Sequence, residues 1–141
     1  MPIRSAHAVW NGDLMTGNGT LKTETGAASG QYSFSTRFEN GTGTNPEELL
    51  AAAHAACYSM ALSAGLAKAG FKPVTINTQD KLHLDKLEAG FTITKIEIHC
   101  EAKVEGIDEA AFQKFAEDTK KACPVSRALS SVEFVLYAKL V

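Results

Sequence analysis

Apolar and polar positions alternate along the first third of the chain. Ala6 to Trp10 lead into Asn11-Gly12-Asp13, a turn signal. Gly19 to Thr25 alternates and is rich in threonine. After a loop at Gly26 to Gly30, Tyr32, Phe34 and Thr36 alternate with Ser33, Ser35 and Arg37, which predicts a third strand. The period then changes. The loop Glu39 to Asn45 runs into Asn45-Pro46-Glu47-Glu48, with a capping side chain, a proline where no N–H is needed and two acids in the first turn. Glu48 is spaced to complete a capping box with Asn45. These signals predict a helix from about Pro46 to Ala69, stopped by Gly70. It is apolar nearly all round, so it is expected to be buried and central.

Beyond Pro73, Val74, Ile76, Leu82 and Leu84 share one parity and predict a long strand. A turn at Glu88-Ala89-Gly90 leads to another, where Ile96, Ile98, Cys100, Ala102 and Val104 share a face. Phe91 and Ile93 have the opposite parity, which calls for a bulge near Thr94 or Lys95. Asp108 caps a predicted helix from Glu109 to Ala122, and Pro124 opens a short one through Leu129. Val132, Phe134, Leu136, Ala138 and Leu140 alternate in a last strand. Strands come in runs, not in βαβ alternation. The expected class is α+β with a largely antiparallel sheet, in a single domain over residues 1–141.

Composition narrows the function. With 141 residues, 45% hydrophobic and 21% charged, the chain is ordinary globular material. A net charge of −2 and pI near 6.1 give no reason to expect nucleic acid. No apolar run is expected to reach the length of a membrane span. The start MPIRSAHAVWNGD has no apolar signal core, so a cytoplasmic location is expected. That compartment keeps thiols reduced. The three cysteines are then core filler, metal ligands or reactive thiols.

Cys57 lies near the middle of the long helix. One reading is a small buried hydrophobe. The other is a nucleophile, which an apolar pocket opposes by raising the thiol pKa. A reactive Cys57 therefore needs a cation from elsewhere, best an arginine. His54 shares its helix face, either as a Cys–His couple or as a packed histidine. Cys123 precedes Pro124 and reads either as the cap of the short helix, which favours a thiolate, or as a thiol stranded at a helix break. Cys100 sits on the apolar parity of its strand and reads as core. His99 points to the opposite face, so no zinc site is expected.

The stretch Thr36 to Leu62, TRFENGTGTNPEELLAAAHAACYSMAL, closely resembles the osmotically inducible protein C (OsmC) family, whose sister group is the organic hydroperoxide resistance proteins. ACPVSRAL, Ala122 to Leu129, resembles the family's second cysteine motif. The resemblance covers essentially the whole chain and implies an OsmC-like fold in an intertwined homodimer, with mostly antiparallel sheets on the long helix. It implies a thiol-dependent peroxidase that reduces organic hydroperoxides, and hydrogen peroxide less efficiently, in oxidative and osmotic stress. By this resemblance Cys57 matches the peroxidatic and Cys123 the resolving cysteine. Arg37 matches the arginine that stabilises the thiolate, and Glu47 its carboxylate partner. In the sister group the arginine comes from a more N-terminal segment, and Thr36-Arg37-Phe38 follows the OsmC arrangement. No cofactor or metal is implied. The implied reductant is a small dithiol or a lipoyl-bearing protein.

Helix geometry adds a condition. Glu47 and Cys57 are ten residues apart on one helix, about 15 Å of rise. The Arg37–Glu47 pair is therefore expected to reach Cys57 from the other subunit. Two other readings stand beside the peroxidase: a general thiol–disulfide oxidoreductase attacking through Cys123, and a non-catalytic module with a lipid-like ligand.

Overall fold

The computed structural model describes residues Met1–Val141. The chain divides into two compact units, Met1–Leu49 and Leu50–Val141.

Short polar turns shape the first unit. Strands β1 (Ala6–Asn11), β2 (Asn18–Thr23) and β3 (Ser29–Tyr32) form an antiparallel meander in the order β1-β2-β3. Asp13 ties the first turn by accepting from the Met15 and Thr16 N–H groups and from the Thr16 hydroxyl. These bonds, the Thr16 hydroxyl foremost, hold its carboxyl below the usual aspartate value. Gly19 is required by close approach: a Cβ there would lie 2.4 Å from the Val9 carbonyl oxygen and 2.6 Å from the Tyr32 ring.

The expected third strand stops at Tyr32, and the chain turns into a short helix, α1 (Phe34–Phe38). The cause is local. Ser33 caps the helix by accepting from the Thr36 N–H, while the Thr36 hydroxyl takes the Ser33 N–H at 2.8 Å. This reciprocal cap overrides the alternation of Tyr32, Phe34 and Thr36. Helix α2 (Pro46–Lys68) starts where the sequence predicts, with Asn45 Oδ1 accepting the Glu48 N–H at 2.7 Å. The Glu48 carboxylate takes the Thr44 hydroxyl at 2.8 Å.

In the second unit β4 (Lys72–Leu87) and β5 (Gly90–Glu105) form a long hairpin. The register slips between His83 and Leu84, leaving Thr94 as the extra residue, the expected bulge. A second slip at Val74 turns that side chain outward, 54% exposed, away from the parity it shares with Ile76 in sequence. Helices α3 (Glu109–Ala122) and α4 (Pro124–Ala128) then lead to β6 (Glu133–Leu140), which pairs with β5 in parallel. The β5-α3-α4-β6 segment is thus a crossover unit, which the run of strands in the sequence concealed. Central β5 supplies Ile96, Ile98, Cys100, Ala102 and Val104 to the core, against Phe112 and Ala116 of α3.

Helix α2 departs from expectation in two ways. It is long and apolar enough, by length and composition, to cross a membrane. It is also not buried all round. His54, Tyr58, Leu62 and Leu66 form one fully buried stripe at four-residue spacing. Ala52, Ala53, Ala56, Met60, Ala64 and Ala67 stand exposed, Met60 by 75%.

Candidate active site

The sequence-predicted residues fall into two pairs, one in each unit. In the first unit, α1 carries Arg37 and the opening turn of α2 carries Glu47. Asn45 ties the two segments by donating from Nδ2 to the Thr36 carbonyl at 2.9 Å. The guanidinium meets the carboxylate side-on: Nη2 to Oε1 at 2.7 Å, Nε to Oε1 at 3.1 Å and Nε to Oε2 at 3.3 Å. Glu47 is buried, and the Arg37 side chain remains 36% exposed. The bidentate contact fixes the plane of the guanidinium while part of the group stays open to a ligand. Arg37 lies over the Phe38 ring, 5.3 Å from its centroid, and borders a cavity of about 270 Å³ lined by Trp10, Leu14, Tyr32, Phe34 and Phe38.

In the second unit all three cysteines are free thiols. Cys57 is half-buried on α2, with the Cys123 thiol and the Val125 backbone as its electrostatic neighbours. Burial pushes the Cys57 thiol up, the Val125 N–H acts the other way and the Cys123 thiol adds to the rise. None of these is a cation. Cys123 is fully buried and caps α4, as expected from Pro124: its Sγ accepts the Ser126 N–H at 3.4 Å and the Ser126 hydroxyl at 3.3 Å. Cys100 is in the core of β5, and burial raises its thiol, in keeping with a packing role.

His54 does not couple to Cys57. It is fully buried, stacks on Phe134 with centroids 4.9 Å apart, and uses both ring nitrogens elsewhere. Nδ1 bonds to Asp80 Oδ2, and Nε2 meets Ser126 Oγ at 2.7 Å. Asp80 has a fully buried side chain, and its Oδ1 has no partner. Sequence reasoning missed Asp80 and Ser126. Asp80 did carry a signal, since it shares the parity of Ile76, Leu82 and Leu84 and so places a carboxylate on the inner face of β4.

A family profile described as OsmC-like protein matches residues 39–136. Peroxiredoxin OsmC of Escherichia coli is 50% identical over 129 residues, 91% of this chain and 90% of that one. The organic hydroperoxide resistance protein of Xanthomonas axonopodis pv. citri is 33% identical over 89 residues, 62% of this chain and 61% of that one. Among solved structures, an OsmC-like protein of unknown function from Vibrio cholerae superposes with a TM-score of 0.77 at 17% identity, covering 98% of this chain and 99% of its own.

Proposed function

The chain belongs to the OsmC-like family, and from that premise we propose that it is a cysteine-based peroxidase that reduces organic hydroperoxides, with Cys57 as the peroxidatic and Cys123 as the resolving thiol. The observation that carries the reading is the electrostatic interaction between these two thiols, which different elements of one unit bring near one another. A sulfenic acid formed on Cys57 has its resolving partner already in reach.

The Cys57 thiolate attacks the terminal peroxide oxygen. The S–O bond forms as the O–O bond breaks, and the departing alkoxide takes a proton to become the alcohol. Cys57 is left as a sulfenic acid. Cys123 then displaces hydroxide from Cys57 sulfur, giving a disulfide and water. A dithiol, small or lipoyl-bearing, exchanges with the disulfide, restores both thiols and leaves as its own disulfide. Arg37 stabilises the thiolate and the charge developing on the peroxide oxygens, and Glu47 orients it. The aromatic lining beside Arg37 suits an alkyl or lipid tail, so a bulky alkyl hydroperoxide is the better substrate and hydrogen peroxide the poorer one.

Burial alone makes Cys57 a worse nucleophile, so the cation must be brought to it. Glu47 and Cys57 lie on the single helix α2, about 15 Å apart along its axis. The Arg37–Glu47 pair is therefore supplied by a second copy of the chain. The exposed alanine and Met60 face of α2 supports such a homodimer, because an apolar face of this kind marks an interaction surface.

Hydroperoxide consumption with a dithiol, measured on wild type, Cys57→Ser and Cys123→Ser, tests the assignment. Cys57→Ser is expected to be inactive. Cys123→Ser is expected to turn over poorly and to collect sulfinic acid on Cys57. Full activity in Cys57→Ser would favour a thiol–disulfide oxidoreductase working through Cys123. No consumption by any form would leave a ligand-binding module.

A further inference from the structure

The peroxidase steps leave unused a fully buried carboxylate–histidine pair in the second unit. Asp80 and His54 are both withdrawn from water, and one carboxylate oxygen lacks a partner. A buried ion pair is weak support for stability, because desolvation offsets much of its attraction. This one sits at the end of an unbroken chain of polar contacts. Asp80 Oδ2 meets His54 Nδ1, His54 Nε2 meets Ser126 Oγ at 2.7 Å, and Ser126 Oγ meets Cys123 Sγ at 3.3 Å. Cys123 in turn is an electrostatic neighbour of Cys57.

We propose that Ser126, oriented by His54 and Asp80, carries the proton of Cys123 away when that thiol attacks the Cys57 sulfenic acid. The proposal rests on the assignment of Cys57 and Cys123 above. Two proton arrangements fit the same heavy atoms. In the first, Cys123 is a thiol: Sγ–H donates to Ser126 Oγ, Oγ–H to His54 Nε2, and Nδ1–H to the Asp80 carboxylate. In the second, two protons have each moved one bond: Nε2–H donates to Oγ, Oγ–H to a Cys123 thiolate, and the imidazolium faces the Asp80 carboxylate. The Ser126 N–H supports the thiolate form at 3.4 Å.

The step balances. Cys123 thiolate forms the S–S bond as the Cys57 S–O bond breaks, so Cys57 sulfur is reduced and Cys123 sulfur oxidised. The hydroxide leaves with the electron pair of that bond and takes back the proton held on His54, forming water. His54 returns to neutral, and no outside oxidant or reductant enters. Ser126 is the catalytic member because it touches the reacting sulfur. His54 and Asp80 are positioning residues that act through it. The arrangement shares the logic of nucleophile–base–carboxylate triads, with a hydroxyl inserted between base and sulfur.

The test separates the two chemical steps in reduced full-length protein. One equivalent of cumene hydroperoxide is added in stopped flow. The Cys57 sulfenic acid is trapped with dimedone, and disulfide formation is followed by quenched mass spectrometry. In Ser126→Ala the sulfenic acid is expected to form at the wild-type rate and the disulfide about a hundredfold more slowly, the lower end for loss of one proton-transfer group. Asp80→Asn keeps the shape but donates to Nδ1, fixing the proton on Nε2 so the imidazole cannot accept one. It is expected to slow the same step while thermal stability holds or rises, a combination that a purely structural carboxylate would not produce. Wild-type disulfide rates in folded Ser126→Ala would overturn the proposal. That variant deletes one oxygen and decides the matter even if Asp80→Asn does not fold. Absence of a trapped sulfenic acid in Cys123→Ser, where no resolving thiol competes, would instead overturn the peroxidase reading, and this proposal with it.

Discussion

Arg37 meets Glu47 through three nitrogen–oxygen contacts of 2.7–3.3 Å, a geometry that lysine cannot reproduce. Arg37→Lys keeps the charge but loses the planar fork, and kcat/KM for alkyl hydroperoxide is expected to fall about ten- to a hundredfold, the equivalent of one charge-assisted hydrogen bond in the transition state. Arg37→Ala also acts through protonation. Burial already pushes the Cys57 thiol up, and the thiolate is the reactive form, so rate rises with pH. Removing the cation raises the thiol pKa further and moves the rising limb of the pH–rate profile to higher pH. Thiolate absorbance titrated in the reduced protein should shift in the same direction. An unshifted limb in Arg37→Ala would mean that Arg37 is not the group stabilising this thiolate.

At the scale of elements, α2 is held to α3 by a contact its apolar pattern does not announce. The Tyr58 hydroxyl, fully buried, donates to the Ala116 carbonyl at 3.0 Å. Tyr58→Phe is expected to destabilise the protein by about 1 kcal/mol, read from the midpoint of urea unfolding, with peroxidase activity retained. What was legible in the sequence followed the range of the forces involved. The caps at Asn45, Asp108 and Cys123 and the bulge at Thr94 rest on residues within a few positions of one another, and they were readable. The competition at Ser33 was local too, but alternation and capping pointed opposite ways there and the cap won. The parallel pairing of β5 with β6 depends on where a two-helix crossover returns, and nothing near either strand encodes that. The same holds for the site. Cys57, Cys123, Arg37 and Glu47 are candidates that their motifs supply. Asp80 and Ser126 acquire meaning only when β4 and α4 meet at His54, across separations of 26 and 72 residues.

At the scale of the whole molecule, the proposed site raises the question of which chain supplies the arginine to Cys57. If Cys57 is served by the Arg37 of its own chain, each active site is complete in one copy. If served by the other copy, as proposed, each site is shared, and two inactive variants can repair one another. In a mixed dimer of Cys57→Ser with Arg37→Ala, one site joins the introduced serine to the introduced alanine and is dead. The other joins the intact Cys57 of one copy to the intact Arg37 of the other. Random pairing makes half of the dimers mixed, each with one working site of two. Co-expression of the two variants is therefore expected to restore about a quarter of wild-type activity per chain, although either alone is nearly inactive. Supply within one chain predicts no recovery, because no copy then holds both groups. Met60→Glu adds a control, placing a charge on the exposed face of α2, where Met60 is 75% exposed. Introduced into both variants it is expected to shift sedimentation towards the monomer and to abolish the recovery, since a charge buried at an apolar interface is left unpaired. Recovery that survived Met60→Glu would mean that the two copies share the site through a surface other than this face of α2.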